Sequence, residues 1–191
     1  MRIKKITILF LLCLCSGVLS AQNGINIHAG ITTMTNKDKL ITPDGTSHPG
    51  YHFGADARLN EGKMYFIVGG QFHNVAYDAQ TEKSFFSVTN SMKYIKIRVG
   101  LGYQVITINE NLCIRGKTLF SINLLSSYPN DLAGAPYSNY NSATVGATLG
   151  LGLDFYNISL DFEIDNGFFK AVNQVDGTEV NFFTVSLGYT I

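Results

Sequence analysis

The chain has 191 residues, 46% of them hydrophobic and only 15% charged, with 14 basic and 14 acidic side chains. That length suits one domain, and after the N-terminus no stretch approaches the ~18 consecutive apolar residues of a membrane-crossing helix. Sparse, balanced charge without a basic run argues against nucleic acid as a partner.

Residues 1–21 read as a secretory signal peptide. Arg2, Lys4 and Lys5 form a basic start, residues 6–15 an apolar stretch, and GVLSAQ offers small residues for cleavage near Ser20 or Ala21. Cys13 and Cys15 both follow leucine, so no lipoprotein-type anchor is expected. Without Arg2, Lys4 and Lys5 the basic residues fall from 14 to 11 against 14 acids, a net charge near −3 for the domain expected over 22–191. Only Cys113 remains there, so no disulfide within the chain is expected.

From residue 24 onward the chain alternates apolar and polar residues with the period of a strand. Strands are predicted at 24–34, 50–59, 64–76, 93–106, 111–124, 142–155, 158–170 and 179–191. The first three carry His28, then His52, Asp56 and Arg58, then His73 on one parity. The fourth sets Lys96 and Arg98 against Ile95, Ile97, Val99, Leu101, Tyr103 and Val105. The fifth offers Arg115, Lys117 and Ser121. The sixth sets Asp154 against Val145, Ala147, Leu149, Leu151, Leu153 and Phe155. In the seventh, ISLDFEID, Asp161, Glu163 and Asp165 oppose Leu160, Phe162 and Ile164. The last presents Phe183, Val185, Leu187 and Tyr189. All four prolines fall between strands, as central pairing requires.

Tight connections at 60–63, 107–110 and 156–157 alternate with long polar ones at 35–49, 77–92, 125–141 and 171–178. That rhythm predicts an all-β fold: an eight-stranded antiparallel up-and-down transmembrane β-barrel of the outer-membrane type, short turns toward the periplasm. A soluble, lipocalin-like periplasmic carrier would also alternate, with its apolar side inward. Three features favour the inverted arrangement. The apolar faces are unbroken. Phe66, Tyr103, Phe155 and Tyr189 mark the short-turn end, and Phe53, Phe72, Phe120 and Phe168 the long-loop end, as interfacial girdles do. The polar face balances five acids (Asp56, Asp154, Asp161, Glu163, Asp165) with five bases (Arg58, Lys96, Arg98, Arg115, Lys117). Val99, Leu101, Leu149, Leu151, Leu153, Leu160, Phe162, Val185 and Leu187 are then expected to face lipid.

Eight strands leave an interior only wide enough for side chains, so large should sit beside small. A two-residue turn at 156–157 sets Gly152 against Asp161 and Gly150 against Glu163. Pairing Thr107 with Leu112 sets Gly102 beside Lys117. Arg115 and Lys117 are the expected partners of the acids, with Arg98 a candidate for Asp165. A charge-paired lumen plug is expected; a charged pore constriction or proton relay is the alternative.

In GYHFGADARL, MKYIKIRVGLGYQ, ATVGATLGLGLDF and the closing NFFTVSLGYTI the chain resembles the PorT-like, outer-membrane-protein β-barrel families of Bacteroidota. The resemblance spans nearly all of 22–191. It departs in lacking a proline within KYIKIRVGLGY and in ending on Ile191 where many relatives end on an aromatic residue. It implies an outer-membrane barrel assembled by the barrel-assembly machinery, and it implies no activity.

Little points to chemistry. His52 and His73 are expected to approach near the long-loop end, with His28 on the same parity. A metal there would want a third ligand, such as Asp78 or His48 from a loop. Lumen histidines satisfied by neighbours such as Gln71 are the plainer reading, so no metal or cofactor is expected. Ser121 has no histidine pattern beside it. Gly100-Leu101-Gly102 and Gly150-Leu151-Gly152 lie mid-strand without a following helix, which removes a nucleotide-binding reading. The expectation is a structural or surface-loop binding protein and not a catalyst, its partners outer-membrane lipid and an unknown external ligand at loops 35–49, 77–92 and 125–141. An outer-membrane enzyme acting on lipid or peptide at the rim is the alternative.

Overall fold

A computed structural model describes residues 24–35, 47–76, 85–86, 91–109, 111–127, 141–170 and 179–191, without the side chains of 60 and 61. The expected signal peptide, Asp78 and most of the long loops lie outside the described residues. Eight strands form one closed antiparallel barrel in chain order. They are β1 (Gly24–Thr35), β2 (His48–Glu61), β3 (Met64–Ala76), β4 (Ser91–Asn109), β5 (Leu112–Ser127), β6 (Ala143–Phe155), β7 (Ile158–Lys170) and β8 (Glu179–Thr190). Strand pairing continues into the expected loops: His48 and Pro49 belong to β2, Ser91 and Met92 to β4, and residues 125–127 to β5. β8 pairs with β1 and closes the wall.

The register fixes the barrel's shape. Partners followed from Ile25 run through Ala57, Val68, Val99, Phe120, Ala147, Asn166 and Asn181 and return to β1 at Thr35, ten residues above the start. With ~3.3 Å per residue and ~4.7 Å between strands, that stagger tilts the strands by about 41° and gives a backbone radius of about 8 Å. Such a cylinder holds side chains and little else.

Burial follows the pleat. β7 reads exposed or half-buried at Ile158, Leu160, Phe162 and Ile164 and buried at Ser159, Asp161, Glu163 and Asp165. Leu149, Leu151, Phe162 and Leu187 stand 46–64% exposed. Leu160 and Val185 also point outward but are half-buried. Apolar side chains therefore clothe the outside and charged ones the inside, the reverse of a lipocalin-like cup. Along β7 the climb from Ile158 to Phe168 is about 25 Å at this tilt, the height of an outer-membrane apolar band.

The 156–157 turn pairs Phe155 with Ile158 as the spacing predicts, with Tyr156 at φ 53°. The β4–β5 hairpin differs. Thr107 pairs with Cys113 and Leu112 with Asn109, because the register shifts between Gln104 and Ile106 and again between Thr107 and Asn109. These irregularities leave Gly102 opposite Lys117, as expected, but turn Val105, Ile106 and Ile108 all to the surface.

Candidate functional site in the barrel lumen

All ten expected lumen charges point inward and all are paired. Eight of them form one chain of alternating sign. Arg58 meets Asp154 at 3.3 Å, Asp154 meets Arg115 at 2.8 Å, Arg115 meets Asp161 at 2.7 Å and Asp161 meets Lys117 at 3.0 Å. Lys117 then contacts Glu163, Glu163 meets Arg98 at 2.7 Å, and Arg98 closes the chain on Asp56. Each interior member touches two groups of opposite sign. Taking such charges out of water costs several kcal/mol apiece unless partners and hydrogen bonds replace the solvent.

Asp165 is the exception to the expected pairing. Its partner is Lys96 at 2.8 Å and not Arg98. Ser121 and Thr148 donate to the same carboxylate oxygen at 2.9 and 3.1 Å, and the Lys96 ammonium lies 4.6 Å from the centre of the Phe182 ring. Arg98 is instead the hub of the long chain. Its Nε donates to Asp56 at 2.9 Å and its Nη1 to both oxygens of Glu163. Forked geometry of this kind is what a guanidinium offers and an ammonium does not.

Glycines make the room. A Cβ at Gly152 would lie 2.6 Å from both Arg115 Cζ and Asp161 Oδ1, and one at Gly150 would lie 2.8 Å from Lys117 Cε. Gly102 stands beside Lys117 in the ladder, yet the side chain filling its space is Tyr65, its partner on β3. An aromatic residue lying over a glycine across the ladder was the available signal for Tyr65.

The histidines come together as a stack. His52 and His73 are ladder partners with ring centres 5.2 Å apart, and His28 lies 6.1 Å from His52. Gln71, with its carbonyl toward Arg98, accepts from Arg98 Nη1 at 2.7 Å and from His28 Nε2 at 3.1 Å, and donates to His73 Nε2 at 3.0 Å. His48 sits in β2 and not in a loop, its Nδ1 donating to the Ala76 carbonyl at 2.9 Å. Among the described residues no group of three His, Cys, Asp or Glu side chains is placed to hold a metal ion. Cys113 pairs with Asp154 in the ladder, near the short turn.

Ser186, which the sequence pattern does not single out, is hydrogen-bonded to His52 at 2.8 Å. Both are at most 2% exposed, and no carboxylate holds the other ring nitrogen of His52. A serine nucleophile needs a base, an orienting acid and room for substrate; this pair has the first alone. A second unforeseen feature closes the long-loop end. Met34, Val75, Met92, Tyr94, Leu125, Val180 and Phe182 form an apolar cluster on the inward parity, none more than 7% exposed. Phe182 packs on His73 at 5.0 Å and edge-on to Tyr94 at 5.5 Å, joining this lid to the polar layer below.

No protein-family model matches the sequence, and no curated protein does. Among solved structures, Neisserial surface protein A is similar with a TM-score of 0.56 at 15% identity, over 87% of this chain and 97% of that one. The fold is that of an outer-membrane-type, eight-stranded barrel. Ail, the attachment invasion locus protein of Yersinia pestis, solved with the heparin analogue sucrose octasulfate, gives 0.45 at 17% identity, over 88% of this chain and 99% of that one.

Proposed function

We propose that the chain is a small outer-membrane protein, exported by a cleaved signal peptide and inserted by the barrel-assembly machinery, that serves as a structural or surface-loop binding protein and not as a catalyst. One observation carries this reading: the barrel is inverted, with an apolar belt outside and a neutral, fully paired charge network inside. Water disfavours that surface and lipid accepts it, since a sheet leaves no backbone polar group unpaired in hydrocarbon only when its ladder closes. The lumen supports a plug over a pore or relay, because Lys96, Arg98 and Arg115 are each about 1% exposed. Membership of the PorT-like families of Bacteroidota belongs to the same proposal. With the interior filled, any recognition falls to the connections at the long-loop end.

Fractionation of expressing cells with a heat-modifiability gel tests the reading. The protein should sediment with the outer membrane and migrate differently before and after boiling. Recovery in the soluble periplasmic fraction would overturn the proposal.

A further inference from the structure

The outer end of β2 and β3 breaks the alternation seen elsewhere. Phe66, Val68, Gly70 and Phe72 point outward along β3 and are exposed or half-buried. Asn74 and Ala76 continue that outward series, yet they are only 6% and 0% exposed. Pro49, on the outward parity of β2 with Tyr51 and Phe53, is buried as well. Phe86, from the connection between β3 and β4, lies in the same place. Its ring stacks on Tyr51 with centres 6.4 Å apart and planes 20° from parallel. Tyr51 is the ladder partner of Asn74, and one outward position below it Phe53 packs on Phe72 at 5.1 Å. The rings of Phe72, Phe53, Tyr51 and Phe86 thus continue the apolar belt upward without a gap, and Phe86 is 74% exposed.

A phenylalanine placed on the outer wall of the barrel, and not over its mouth, is badly sited for an aqueous ligand. It is well sited for lipid, because aromatic rings gather at the headgroup level of a bilayer. We propose that Phe86 is a membrane anchor: its ring seats in the outer-leaflet interface. Its partner is the bilayer, by continuity with the belt beneath it. The inference rests on the outer-membrane reading and narrows it, since it withdraws Phe86 from the surface offered to an external ligand.

The chain contains no tryptophan, so Phe86→Trp creates a lone tryptophan that can be excited apart from the tyrosines. The folded variant, checked by its gel mobility, is placed in phosphatidylcholine vesicles brominated either near the headgroup or near the chain ends. Leu151→Trp, in the middle of the belt, is the companion. Phe86→Trp should lose most of its emission to headgroup-proximal bromine, less to deep bromine, and little to iodide in the water. Leu151→Trp should show the opposite depth preference. Strong iodide quenching of Phe86→Trp with no bromolipid effect, beside a normally quenched Leu151→Trp, would overturn the anchor alone. Bromolipid failing to quench Leu151→Trp would overturn the membrane reading and the anchor with it.

Discussion

Arg98 holds two carboxylates at once, Asp56 on one edge of its guanidinium and Glu163 on another. Replacing it by methionine takes the guanidinium from Asp56 and leaves Glu163 with Lys117 alone, so Arg98→Met should destabilise the barrel by about 3–5 kcal/mol, less where water enters. Adding Asp56→Leu should recover only part of that loss, because Glu163 stays uncompensated by Arg98. The separate pair behaves differently: Lys96→Met with Asp165→Leu should recover more of the Lys96→Met loss. Double-mutant cycles by folding titration in vesicles measure both couplings; zero coupling at each pair would mean that these acids face open water. Alternation told which side chains point inward, and all ten charges do. It did not tell who meets whom. Through β6 and β5 the ladder leads from Asp165 to Thr148, Leu119 and Gly100, with Lys96 four residues further along β4. Height in a tilted barrel depends on the stagger, which closes over the whole ring and leaves no mark in a local pattern.

Strands were the most legible elements, because a wall with lipid on one side and a packed lumen on the other forces strict alternation along its length. Their ends were less so. Pairing runs on past the apolar stretch wherever the neighbouring strand offers a partner, as at Ser91 and Met92. The shifts after Gln104 were hidden since Val105 and Ile106 both read as good strand residues, and the extra residue shows only in the pairing. The lid was missed for another reason. Val75, Met92, Val180 and Phe182 sit on the inward parity, but charges are what mark a polar lumen in a sequence, and apolar residues at strand ends look like more belt. Glycine position offers a test at this scale. Gly152→Val pushes a side chain into Arg115 and Asp161 and should cost about 1–3 kcal/mol. Gly116→Val, whose Cβ would find its nearest neighbour 3.8 Å away on the outer face, should change stability by no more than about 0.5 kcal/mol. Urea titration of the two variants in the same vesicles compares them directly; equal losses would contradict the small-beside-large packing of the lumen.

Taken whole, the barrel carries apolar side chains outside, a charge network in its middle and an apolar cluster at the long-loop end, and the proposed reading makes the last two a double seal. Planar-bilayer recordings should therefore find no conductance steps, and Phe182→Ala alone should not open the lumen, because the ion pairs below remain. Steady conductance in the unaltered protein would remove the plug. The orientation of the wall is the central claim, and a pair of arginine substitutions on its outer face tests it most directly. Leu151 lies near mid-belt and Phe168 at the long-loop rim, 64% and 58% exposed. In vesicle folding titrations, Leu151→Arg should destabilise by about 2–4 kcal/mol and Phe168→Arg by about 0–1 kcal/mol, because the cost of charge follows depth in the bilayer. Equal tolerance of arginine at both positions would mean that water, and not lipid, meets this face.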